Sequence, residues 1–145
     1  MSRTRREIAE QVRRHVAGED VAFADLFAED GVLRFPFAVP GMPAELVGRD
    51  AIRSSHPGRA VGRKLLEMDG VDLIVREGAD PAEMVLEIEH WGRSLASGAP
   101  YRFRAIGVVR VHDGEIVSYD DYMNPVAMAE ILGRTADLAA ALTAP

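Results

Sequence analysis

A chain of 145 residues is long enough for a domain with a real core, and 48% hydrophobic with 28% charged residues is a globular composition, not a disordered one. The net charge of −6 argues against nucleic acid or an anionic membrane as partner, because phosphate binding needs a basic face. Cysteine is absent, which excludes disulfides, thiol nucleophiles and thiolate metal sites.

The first residues, MSRTRREIAEQ, are charged and lack the apolar stretch of a signal peptide. No segment approaches the roughly 20 apolar residues of a membrane span. A cytoplasmic protein is the expectation. Residues 4–17 place Ile8, Val12 and Val16, with Ala9, on one face, which predicts an amphipathic helix ending at Gly18. Asp20 is expected to cap a short second helix, with Phe23, Leu26 and Phe27 on its apolar side, closed before Gly31. The stretch GVLRFPFAVPGMP starts like a strand and dissolves into an apolar loop rich in proline and glycine. Phe35 and Phe37 in that loop are expected to close a pocket. Residues 48–56 predict a third helix, ended by Pro57-Gly58. His15 and His112 read as surface residues, and His56 as structural.

The period then changes. Residues 64–77, 83–95, 100–111 and 115–123 alternate, with turn signals between them, and predict antiparallel strands joined by hairpins. The last turn, at His112-Asp113-Gly114, fits a three-residue loop with glycine left-handed. Asn124-Pro125 starts a final helix, with Asn as cap and Pro in the first turn. Helices first and a meander after them is α+β, a curved sheet wrapped around helices. No repeat or linker divides the chain, so residues 1–145 read as one domain.

Alternation assigns the faces of each strand. In residues 84–94 the apolar set carries His90 inward with Leu86 and Ile88. In residues 101–111 Tyr101, Phe103, Ala105, Gly107 and Val109 face inward, and Arg102, Arg104, Ile106, Val108 and Arg110 face out. In residues 116–123 Val117, Tyr119, Asp121 and Met123 form the inward set, which leaves Asp120 solvated and Asp121 buried. Turn geometry then predicts a row of His90, Ala105 and Asp121 across three strands. The small Ala105 and Gly107 would leave room for a ligand touched by both polar groups. A carboxylate among apolar side chains has a raised pKa and exchanges protons near neutrality. The four histidines show no metal-ligand spacing.

FAEDGVLRFPF, VGRDAI and a meander ending DGEIVSYDDYMNP resemble the NTF2-like superfamily over nearly the whole chain. Within it the chain resembles SnoaL-like polyketide cyclases, ketosteroid isomerase-related proteins and the phenazine-biosynthesis A/B proteins. The resemblance implies a cone-shaped curved antiparallel sheet, N-terminal helices and a C-terminal helix. It implies a homodimer through the outer sheet face. It also implies proton-transfer chemistry on a small apolar or cyclic metabolite, without metal or organic cofactor. Asp121 takes the place of the acidic pocket residue before the aromatic-Met-Asn-Pro run, and His90 that of a histidine on a neighbouring strand. These two are the catalytic candidates. Tyr119, Met123, Phe103, Ala105, Gly107, Phe35 and Phe37 are the substrate-binding candidates. Gln11, Phe35 and Gly107 stand where ketosteroid isomerases carry their tyrosine and two aspartates, so steroid isomerisation by that mechanism is not expected. Ser55 stands where the phenazine proteins carry a histidine. The residues leave open a cofactor-free isomerase, cyclase or dehydratase, a non-catalytic ligand-binding module, and an assembly protein using the outer sheet face.

Overall fold

The computed structural model describes residues 2–55 and 65–145. Helix α1 (Arg5–Val16) starts at Thr4, whose hydroxyl accepts from the Glu7 amide while the Glu7 carboxylate accepts from the Thr4 amide. Its buried face carries Ile8, Ala9, Val12 and His15. Full burial of Ile8 and of Val12 is worth about 1.5–3 kcal/mol each. The helix stops at Gly18, whose φ of 83° suits only a residue without Cβ. His15 is buried, stacked on Phe23 at 4.7 Å, and so is not the surface residue expected. It continues the Ile8, Val12 stripe by one more turn.

The expected second helix is only a 3-10 turn (Phe23–Leu26). Strand β1 (Phe27–Arg34) begins at once, before Gly31 rather than after it. Strand β2 (Glu45–Val47) and helix α2 (Arg49–Ser55) follow. His56 lies outside the described residues. Four long strands come next: β3 (Leu66–Glu77), β4 (Glu83–Ser94), β5 (Pro100–His112) and β6 (Glu115–Met123). Helices α3 (Pro125–Leu132) and α4 (Thr135–Thr143) end the chain. Asn124 caps α3 as expected, its side chain accepting from the amides of Val126 and Ala127.

The six strands form one curved, unclosed sheet in the order β2-β1-β6-β5-β4-β3. All neighbours are antiparallel except β1 and β6, which run parallel. The inner face of the sheet packs against α1 and the 3-10 turn around Leu33, Met84, Leu86, Val109 and Ile116. Ser94, at the end of β4, donates to the Ile131 carbonyl and ties α3 to the sheet.

The register differs from the sequence expectation at both hairpins. Ala105 pairs with Ile88 and Met123, not with His90 and Asp121. Asp113 and Gly114 both have positive φ, 50° and 76°. They make a two-residue turn of the kind that matches strand twist, not a three-residue loop. Beyond the turn, Val111 pairs with Ile116 and Arg110 with Ser118, so Val117 is an extra residue, a β-bulge. Ile116 is the fully buried residue here, and Val117, expected inward, is the bulge itself.

Candidate functional site

The bulge resets the alternation, so Tyr119, Asp121 and Met123 sit on the face that Ile116 occupies before it. Asp120 points the other way. Its carboxylate accepts from the Arg34 guanidinium at 2.9 Å across the parallel β1–β6 pair. Asp121 faces Gly107, with Leu86 and Val75 next in the same row. Its surroundings are apolar, and among the described residues no hydrogen bond or ion pair reaches its carboxylate. Loss of water around it raises its pKa to about 6.

Tyr119 stands two residues away on the same face, fully enclosed by Phe23 at 5.7 Å, edge-on, and Phe27 at 6.4 Å. Its ring leans along the sheet over Gly107. A Cβ on Gly107 would lie 2.7 Å from the Tyr119 hydroxyl. The room above Gly107 therefore belongs to Tyr119 and not to a ligand, which corrects one expected substrate contact. Burial first, and the Asp121 charge second, push the phenol far above its usual range, so it keeps its proton.

His90 is inward, as alternation predicted, and buried. Its Nδ1 lies 2.9 Å from the Tyr101 hydroxyl, and its ring packs against Tyr101 and Phe103. Burial lowers its pKa to about 4, so the ring is neutral at pH 7. Burial, with Asp69 as a lesser cause, raises Tyr101 to about 12. Tyr101 is a polar inward residue that sequence reading left unassigned, although its place in the inward set was plain.

The predicted row is a diagonal. Phe103, not Ala105, faces His90, and Gly107, not Ala105, faces Asp121. Ala105 is the midpoint, with Asp121 on one diagonal and His90 on the other. Diagonal neighbours are about 7–8 Å apart, which separates the two polar residues by roughly 15 Å between Cα atoms. Along the inward side of β5, Tyr101, Phe103, Gly107 and Val109 are buried, whereas Ala105 keeps accessible surface, as do Met123 and Asp121. That opening is the candidate site.

Phe35 is buried in the core beside this row. Phe37, expected in the pocket, is 60% exposed and packs edge-on against Tyr122 at 5.6 Å on the outer face. The loop between β1 and β2 sends Phe35, Ala38 and Met42 inward instead. A separate open cleft of about 410 Å³, lined by Asp69, Trp91, Gly92, Pro100, Tyr101 and Arg102, lies at the His90 end of the sheet. Among the described residues no group of three His, Asp or Glu side chains is placed to hold a metal ion. No described helix is long and apolar enough to cross a membrane.

The SnoaL-like domain family matches residues 8–119. The chain belongs to this family. An uncharacterized PhzA/B-like protein of Pseudomonas aeruginosa is 33% identical to this SnoaL-like chain over 116 residues, 80% of each. A Bacillus subtilis isomerase candidate of known structure shares 28% identity at a TM-score of 0.72, over 89% of this chain and 95% of that one. A Catenulispora acidiphila protein of ketosteroid isomerase-like fold, crystallised with trimethylamine, shares 20% identity at a TM-score of 0.67, over 92% and 97%. The expected NTF2-like α+β architecture holds.

Proposed function

We propose that this SnoaL-like protein is a cofactor-free acid/base enzyme, of isomerase or cyclase type, acting on a small cyclic or carbonyl metabolite. The observation that carries the reading is Asp121: inward, ringed by apolar side chains and without an ionic partner among the described residues, a burial that raises its pKa to about 6. Such a carboxylate is charged at pH 7 and basic enough to take a proton from carbon. In an isomerisation, Asp121 removes a proton from the carbon beside a carbonyl, and the electron pair moves onto the carbonyl oxygen. Tyr119, enclosed on the same face and keeping its proton, forms the wall beside Asp121. Asp121 then returns the same proton to another carbon of the skeleton, so nothing is consumed. Met123 and Ala105 form the floor.

Carboxyl-carbon NMR titration tests the acid. A midpoint near pH 6 for Asp121 supports the reading, and a midpoint in the ordinary carboxylate range sinks it. Asp121→Asn is expected to lower turnover at least about 100-fold.

The outer face supports a homodimer. Ile74 and Ile106 are 52% and 44% exposed there, amid charges already paired within the chain, such as Arg76 with Glu87 and Arg104 with Glu89. Sedimentation at twice the chain mass, reduced to the monomer by Ile106→Glu, is the expected result.

A further inference from the structure

The proton-transfer reading centres on Asp121 and leaves a buried polar pair, His90 with Tyr101, without a task. Both side chains are buried on the inner face, with their polar atoms 2.9 Å apart. In the sheet His90 lies between two apolar neighbours, Phe103 on one side and Val71 on the other, and the Asp69 charge acts on Tyr101 from the edge. A buried imidazole has two ring nitrogens to satisfy, and leaving one bare is unfavourable. Tyr101 accounts for Nδ1. Among the described residues nothing accounts for Nε2.

We propose that Nε2 of His90, fixed by Tyr101, is a distal subsite for an acceptor oxygen, and that the ligand is elongated, with a polar group at each end of an apolar body lying over Ala105. This rests on the Asp121 reading and adds the far end of the same molecule. The phenol is the stronger donor of the pair, so Tyr101 donates to Nδ1, and the neutral ring carries its proton on Nε2. A neutral N–H donor suits a ketone or ester carbonyl; a carboxylate would meet no positive charge there. Ala105 is the midpoint of the line from Asp121 to His90, and its small side chain leaves the body of the ligand its place. With Cα atoms roughly 15 Å apart and both side chains reaching inward, the two ligand oxygens stand on the order of 10 Å apart. That is the span of two or three linked or fused six-membered rings.

The test uses two probes of one shape: a biphenyl with a para hydroxyl at one end and an acetyl group at the other, and the same phenol with isopropyl in place of acetyl. Calorimetry on the wild type should show the ketone binding about tenfold more tightly, one hydrogen bond's worth. Tyr101→Phe should abolish that preference, and Ala105→Leu should abolish binding of both probes. Imidazole ¹⁵N shifts should show the proton on Nε2, with that nitrogen moving when the ketone binds. Equal affinity for the two probes, binding of neither, or a proton on Nδ1 overturns the subsite. Asp121→Asn should leave the ketone preference intact, so loss of the acid role and loss of the subsite are read separately.

Discussion

The outer and inner faces of the sheet treat neighbouring carboxylates in opposite ways. On the outer face charges come in pairs: Asp120 with Arg34, Glu87 with Arg76, Glu89 with Arg102 and Arg104, and Arg102 also lies over the Trp91 ring. On the inner face Asp121 and His90 have no ionic partner among the described residues, and burial alone moves their pKa values, up for one and down for the other. Pairing holds a group in its charged state, whereas burial without a partner brings its titration toward neutrality. The same strand thus carries one carboxylate that serves structure and one left able to exchange protons.

The largest expected effect lies on the inner face. His90 has a folded pKa of about 4, below the ordinary 6.5, so its contribution is complete above pH 6.5 and lost as pH falls toward 4. The total is about 3 kcal/mol. Asp121 has the opposite sign. Its folded pKa of about 6 exceeds the ordinary 3.8, so folding weakens as pH rises from 4 to 6. Asp121→Asn should therefore raise stability at pH 7, by up to about 3 kcal/mol, with no gain at pH 4. In the wild type the two slopes oppose each other. Denaturant titrations across pH 4–7 should give a nearly flat profile for the wild type, a falling one on acidification for Asp121→Asn and a rising one for His90→Gln. Parallel profiles for all three would remove the basis of the comparison.

Next in size is Gly107→Ala. The new methyl meets the Tyr119 ring, and a loss of about 1–3 kcal/mol is expected. Tyr119→Leu should suppress most of it in thermal melts, because it removes the atoms that clash. The smallest effect is on the outer face. Asp120→Asn should cost less than about 1 kcal/mol and fade with added salt, as for other surface ion pairs. The same substitution at adjacent residues is thus expected to change sign.

The faces of β4 and β5 were legible in the sequence, because alternation is local. So was the inward Asp121. The register was not. A slip of two residues leaves every face unchanged, so period-2 patterning cannot detect it. The turn at Asp113-Gly114 is one residue shorter than its sequence suggests and the bulge at Val117 adds one more, a slip of two, and the Ser97-Gly98 hairpin slips by two as well; together these turn the expected row into a diagonal. Parallel pairing of β1 with β6 joins segments far apart in the chain and leaves no local mark. The burial of His15 did leave one, at the right spacing from Ile8 and Val12, but the arginines around it masked the signal.

The bulge at Val117 also bears on how relatives are aligned. Counting straight from the hairpin, with Ile116 inward and no extra residue, strict alternation would turn Asp120 in and Asp121 out. One residue absorbed between Gly114 and Tyr119 reverses that. A gap placed in those few columns thus decides which aspartate is equated with a relative's acid. Two homologues with identical SYDDYMNP runs could differ in chemistry through a single insertion upstream of it, with no change in any residue of the site.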